Sequence, residues 1–130
     1  RRIANTIEEW LDAAEYIMSE GNYNVVLCER GIRTFETATR NTLDVSAVPV
    51  VKERSSLPII IDPSHAAGKE RYVAPLALAG IAAGADGLIV EVHPNAKEAI
   101  SDAAQQLSIE AFADLVQKVG QMANIFNREM

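Results

Sequence analysis

The segment Leu57–His65, LPIIIDPSH, decides how this chain reads. Ile59, Ile60 and Ile61 make a short apolar, β-branched run that breaks at once into Asp62, Pro63, Ser64 and His65. A run of this length bounded by turn-forming residues predicts a buried strand, and its abrupt end delivers an acid and an imidazole to one rim of a sheet. The same grammar recurs upstream in NVVLCERG (Asn24–Gly31) and downstream in GLIVEVHP (Gly87–Pro94). Strands are therefore expected at about Val25–Cys28, Pro58–Asp62 and Leu88–Val92, with their charged ends together. In a parallel α/β barrel, functional residues collect at the carboxyl ends of the strands.

Helical patterns fill the intervals. Thr6 and Glu9 have capping-box spacing ahead of a helix to Ser19, with Trp10, Leu11, Ala14, Ile17 and Met18 at helical intervals. Glu29–Thr42 has no clean period and is long for a connector, which makes it a binding-loop candidate. Asp44 is expected to cap a short helix through about Glu53, with Pro49 tolerated in its first turn. A helix at about Glu70–Ala83 offers a small-residue face to the sheet, and Gly84 ends it. Pro94–Gln106 reads mostly as loop. Ser108 then caps a last helix with Phe112, Leu115, Val116, Val119 and Met122 as its buried stripe. Trp10 and Phe112 are read as core.

Strands alternating with helices imply a parallel sheet with right-handed crossovers. Three strands cannot close an eight-stranded barrel, which typically takes about 250 residues. The 130 residues are thus expected to form a single domain, 1–130, that is half of a (β/α)8 TIM barrel. Such a half exposes apolar sheet edges, so pairing with a second copy or with a missing amino-terminal half is expected. The chain starts at Arg1 without a methionine, which suggests processing or excision from something longer.

Composition narrows the class. With 48% hydrophobic and 23% charged residues the chain is ordinary globular material. A net charge of -6, with Lys and Arg interspersed among acids, argues against nucleic acid as a partner. No apolar run approaches the roughly 20 residues of a membrane span, and there is no signal-peptide pattern, so a cytoplasmic protein is the default. Cys28 is the only cysteine and excludes an internal disulfide. It ends an apolar strand without an activating neighbour and is read as an inert buried thiol.

His65, Glu91 and Asp102 are the sharpest chemical constellation. Two carboxylates and an imidazole after successive strands could share a divalent cation, the acids neutralising charge and the imidazole accepting Mn, Fe, Zn or Co. From spacing alone the plainer alternative is preferred: His65 and His93 as hydrogen-bonded loop residues, Glu91 and Asp102 in salt bridges. Arg30, at a strand end beside Gly31, could clamp a phosphate or carboxylate in bidentate fashion, with Arg33 as a second clamp. An ion pair of Arg30 with Glu29 or Glu36 is the competing reading.

The strings NTIEEWLDAAEYI, NVVLCERGIRTFE, RNTLDVSAVPV, IDPSH, GADGLIVEVHP and AISDAAQQL, in this order, resemble the carboxyl-terminal half of the type I beta 3-deoxy-D-arabino-heptulosonate 7-phosphate (DAHP) synthases. The resemblance covers nearly the whole chain and reverses the preference above. It implies that His65, Glu91 and Asp102 are three of the family's four metal ligands and that Arg30 holds the phosphate of phosphoenolpyruvate, with His65 and Arg30 as the catalytic pair. Asp62 and Arg33 are implied as further groups orienting substrate or ligands. The implied reaction joins C3 of phosphoenolpyruvate to the aldehyde carbon of erythrose 4-phosphate, adds water at C2 and releases phosphate by C–O cleavage, at the entry to the shikimate pathway. The implied cofactor is a divalent metal ion, with Mn first and Fe, Zn or Co as alternatives. The 3-deoxy-octulosonate 8-phosphate synthases carry similar ERG, histidine and serine-aspartate segments, but RNTLDVSAVPV and DPSH favour the first family.

The departures are as informative. The family's fourth ligand, a cysteine in a GPCS-like segment, and its KPRTS-like substrate loop have no counterpart here, and Cys28 does not match that cysteine. The family's phosphoenolpyruvate-binding lysine would fall immediately before Arg1, and Arg2 stands where the family usually has glycine. The isolated chain is therefore expected to carry half an active site. The alternative from another class is an inactive half-barrel module that self-associates.

Overall fold

A computed structural model describes residues 1–129. Its sheet consists of parallel strands β1 (Leu27–Glu29), β2 (Ile59–Ile61) and β3 (Gly87–Leu88), in the order β1-β2-β3. Cys28 pairs with Ile60, Glu29 with Ile61, and Ile61 with Leu88. The helices are α1 (Ile7–Ser19), α2 (Ala47–Arg54), α3 (Pro63–Ala67), α4 (Glu70–Ala82) and α5 (Ile109–Ile125). The parallel arrangement expected from the sequence is present.

Side-chain alternation gives the sheet two unlike faces. Leu27, Glu29, Ile59 and Ile61 are buried, while Cys28 and Ile60 between them are half-buried on the other face. The buried face meets Trp10 and Ala14 of α1 and Val48 and Val51 of α2. Ala67, Val73, Ala77, Leu107 and Leu115 form a second apolar cluster. Each fully buried Val, Leu or Ile contributes about 1.5–3 kcal/mol. Gly80 of α4 lets that helix lie directly on β2, because a Cβ there would fall 2.7 Å from Cγ1 of Ile61.

The capping box at α1 forms as the spacing predicts: Glu9 N–H donates to Thr6 Oγ1 at 3.2 Å, and Thr6 N–H donates to Glu9 Oε2 at 2.8 Å. Ser108 likewise caps α5 by accepting from Ala111 N–H. Other expectations need correction. Asp44 does not cap α2, which starts at Ala47 behind Ser46. Its carboxylate instead takes the Arg1 guanidinium at 2.6 Å and the Ser46 hydroxyl. The strand expected to run to Val92 leaves the ladder after Leu88; Val92 makes a parallel bridge with Leu107 instead. β3 has a neighbour on one side only among the described residues, so nothing on its far side extends the pairing.

Phe112 and Val116 are not core: they are 38% and 37% exposed, while Leu115 of the same stripe is 1% exposed. They line a cleft of about 570 Å³ between α5 and β3, together with Ile89 and Val119. No helix among the described residues is long and apolar enough to cross a membrane.

Candidate metal and anion site

The site grows from the direct passage of β2 into α3. Asp62 is the N-cap of α3 and accepts the His65 backbone N–H through Oδ1 at 3.0 Å, while Pro63 occupies the first turn, where a missing N–H costs nothing. Gly68 ends α3 with φ +67° and donates its N–H to Ser64 O, a left-handed turn that glycine accepts without strain. This five-residue helix was not expected from the sequence, although an Asp followed by Pro is a helix-start signal.

His65 is thereby held over the end of the sheet. Its Nδ1 lies 2.7 Å from Asp62 Oδ2. A carboxylate only accepts, so Nδ1 carries the hydrogen and Nε2 presents its lone pair. That Nε2 lies 3.5 Å from Glu91 Oε1 and 3.7 Å from Asp102 Oδ2. One ligand atom from each of the three residues falls within 4.8 Å of the others. A cation roughly 2.1 Å from each donor needs donors within about 4.2 Å of one another, so the cluster fits a divalent ion after a closure of a few tenths of an ångström. Two carboxylates and a neutral imidazole suit Mn, Fe, Co or Zn.

Each of these side chains has its other polar atom occupied. Glu91 Oε2 accepts from Gln105 Nε2 at 2.6 Å and from Gln106 Nε2 at 3.4 Å, and Glu91 N–H donates to Ser64 Oγ. Asp102 Oδ1 accepts from Arg40 Nη1 at 2.8 Å. Asp102 has φ +51°, a conformation that Asp tolerates better than most residues. The segment carrying it is clamped at its base by Leu107, whose N–H donates to Glu91 O and whose carbonyl accepts from His93 N–H. His93 stays outside the cluster, accepting from Asn95 N–H through Nδ1.

Beside the cluster lies a cavity of about 200 Å³ lined by Ile3, Arg30, Arg33, Arg40, Asn41 and His65. Arginine side chains are suited to holding a phosphate or carboxylate, and of the three lining this cavity Arg40 is already engaged with Asp102 and Gln105. Arg30 does not pair with Glu29 or Glu36 as the competing reading had it. Its Nε is 3.9 Å from Asp62 Oδ2. Glu29 is fully buried, accepting from Arg1 and from the backbone N–H groups of Gly31 and Asp44. Glu36 accepts from Thr37 and Ala38 N–H in its own loop. Gly31, at φ +92°, packs so closely that a Cβ would sit 2.6 Å from that of Asn41. Cys28 is half-buried rather than fully buried; burial, with the Asp62 charge adding to it, pushes its thiol up to about 11, in keeping with an inert thiol.

Arg40 and Gln105 were not singled out from the sequence. The Glu29–Thr42 segment has no periodicity to place Arg40, and Gln105 is an uncharged residue in a loop. Both depend on chain segments far apart in sequence meeting at α3: Arg40 N–H donates to Ala67 O and Asn41 N–H to Ala66 O.

The sequence model of the DAHP synthetase I family matches residues 1–127. The chain is 56% identical over 124 residues to a phospho-2-dehydro-3-deoxyheptonate aldolase of Thermotoga maritima, covering 95% of this chain and 37% of that protein. It is 30% identical over 113 residues to a 2-dehydro-3-deoxyphosphooctonate aldolase of Desulfosudis oleivorans, covering 78% of this chain and 40% of the relative. Among solved structures, a truncated form of 3-deoxy-D-arabino-heptulosonate 7-phosphate synthase from Thermotoga maritima superposes with a TM-score of 0.96 at 54% identity, over 98% of this chain and 48% of that one. The chain thus spans well under half the length of the curated relatives it matches. By its sequence over residues 1–127 and by its structure, the chain belongs to the DAHP synthetase I family.

Proposed function

We propose that this chain supplies part of the active site of an enzyme that condenses phosphoenolpyruvate with erythrose 4-phosphate to DAHP and phosphate, a cytoplasmic transferase at the head of aromatic amino-acid biosynthesis. The observation that carries the reading is the adjacency of the arginine-lined cavity to the His65, Glu91 and Asp102 cluster, with His65 shared by both. A substrate that is both anionic and oxygen-rich is what such a pair of sites accepts. The 56% identity to a phospho-2-dehydro-3-deoxyheptonate aldolase favours the four-carbon aldose phosphate over the five-carbon one that an octulosonate product requires, since proteins of the latter name match at 30–34%.

In this reading Arg30 and Arg33 bind the phosphate of phosphoenolpyruvate and fix the enol against the cluster. Asp62 keeps the hydrogen on Nδ1 of His65 and, 3.9 Å from Arg30 Nε, holds that guanidinium near its place. His65, Glu91 and Asp102 hold a divalent ion, Mn in the first instance. When bound, it supplies Lewis acidity to a carbonyl oxygen or to water. The relatives' greater length is consistent with residues 1–130 forming one partial (β/α)8 domain, completed by further strands or by a second copy over the β3 edge.

The test is phosphate release by the protein in its longest encoded form, with phosphoenolpyruvate and either aldose phosphate, with Mn and after chelation. Turnover with erythrose 4-phosphate that chelation abolishes and Mn restores is expected. Turnover only with the five-carbon aldose would move the protein to the octulosonate branch, and chelator-resistant turnover would remove the metal assignment. If residues 1–130 alone are inactive with both and light scattering gives a homodimer, the isolated piece is a self-associating module.

A further inference from the structure

The arginine cavity and the acid cluster meet at one side chain. Arg40 Nη1 donates to Asp102 Oδ1 at 2.8 Å and also to Gln105 Oε1 at 3.1 Å, and Gln105 passes the constraint on by donating to Glu91 Oε2 at 2.6 Å. Gln105 is only 2% exposed, so its amide has no water to turn to and its orientation is set by these two partners. One guanidinium nitrogen therefore occupies the outer oxygen of one carboxylate directly and of the other through a buried amide. The inner oxygens, Glu91 Oε1 and Asp102 Oδ2, are left facing His65 Nε2. Arg40 itself has little freedom at its base: its N–H donates to Ala67 O, and Gly68 makes room for it, because a Cβ on Gly68 would fall 2.5 Å from that of Arg40.

We propose that Arg40 is a positioning residue for cation binding: it touches neither the ion nor the reacting atoms, and it aims both carboxylates of the cluster at His65 Nε2. The proposal rests on the metal reading above. It makes a counter-intuitive claim about sign. By charge alone, removing a cationic side chain beside two ligand carboxylates should tighten binding of a cation, since like charges repel. If aim is what Arg40 contributes, removing it should weaken binding. Partners that hold metal ligands in place typically account for about 10- to 100-fold in affinity.

The experiment is Mn(II) titration by calorimetry and by electron paramagnetic resonance, on the protein in its longest encoded form, for the wild type and for Arg40→Met, Arg40→Lys, Gln105→Ala and His65→Ala. Arg40→Met should bind Mn about 10- to 100-fold more weakly, Arg40→Lys should fall between it and wild type, and the bound Mn spectrum should broaden as two carboxylates lose their fixed orientation. Gln105→Ala should show a smaller loss of the same kind, and Arg40→Met should add little in an Asp102→Asn background. The Gln105→Ala result and that cycle keep the test open should Arg40→Met fold poorly, which its melting curve would reveal. Equal or tighter Mn binding by Arg40→Met, alongside a clear loss in His65→Ala, overturns the role of Arg40 and leaves the metal site standing. Wild-type affinity in His65→Ala overturns the metal reading itself.

Discussion

Asp62 grips His65 twice, once by its backbone and once by its ring: Oδ1 takes the His65 N–H at 3.0 Å and Oδ2 lies 2.7 Å from Nδ1. The two roles are separable. Asn is as good an N-cap as Asp, so Asp62→Asn should keep the first contact and lose the charge that fixes the ring hydrogen. Denaturant unfolding should show Asp62→Asn less destabilised than Asp62→Ala, whose lost cap alone costs about 1 kcal/mol, while both variants lose about 10-fold or more in Mn affinity. Wild-type Mn affinity in Asp62→Asn would show that this carboxylate only caps the helix.

Gly80→Ala should destabilise the protein although alanine is the better helix former. The propensity gain is about 1 kcal/mol, but the new methyl would meet three side-chain atoms of Ile61 at 2.7–3.3 Å, and overpacking of that kind costs about 1–3 kcal/mol. Because Ile61 directly precedes Asp62, the same variant should also weaken Mn binding. A variant more stable than wild type in urea would contradict the close packing of α4 on β2.

The Cys28 thiol should alkylate slowly at pH 8 and accelerate only towards pH 11. Burial, with the charge of Asp62 adding to it, raises its pKa from 9.0 to about 11, and the thiolate is the reactive form. Linkage gives the sign for stability. Below pH 9 the thiol is neutral folded or unfolded and contributes no pH dependence; above it the unfolded chain ionises first, so stability falls between about pH 9 and 11. Iodoacetamide labelling rates, with Cys28→Ala as the unfolding control, would expose an ordinary thiol by rapid reaction at pH 8.5.

Asp86 joins α2 to β2: it takes Lys52 Nζ at 2.6 Å and Ile59 N–H at 2.9 Å. Partial burial pushes its pKa up, but the Lys52 and Ile59 hydrogen bonds and the charges of Lys52 and Arg128 outweigh that and hold it below 3.8. A depressed carboxyl stabilises the fold above its unfolded value and loses that contribution as pH falls through the folded one. Urea midpoints measured from pH 5 down to pH 2 should therefore drop less steeply in Asp86→Asn than in wild type. Parallel curves would mean that the contact contributes nothing in solution.

The parts of this site that were readable in advance were those where local chemistry changes abruptly. Ile59–Ile61 followed by Asp62 and His65 announces a strand end with reactive groups, and the wording of the surrounding segments supplied Glu91 and Asp102. Arg40 was out of reach, because its role exists only once the 29–42 segment is stitched to α3. The same Asp-Pro pair that marked the rim also starts α3, and reading it as chemistry alone hid the helix. Phe112 was misplaced for a different reason: periodicity says which residues are apolar, not what covers them, and its side of α5 faces an open cleft.

The join between β2 and α3 has no slack. Only Asp62, Pro63 and Ser64 separate the buried Ile61 from His65, whereas Asp102 hangs on a segment clamped at its base by the Val92–Leu107 bridge and held near its tip by Arg40. The cluster is thus built like a vice with one jaw set in the core and the other hung on a loop. Changes in the core beneath β2 should move the first jaw, and with it the meeting point of all three side chains. Changes in the 93–106 segment should displace Asp102 while leaving His65 where it was.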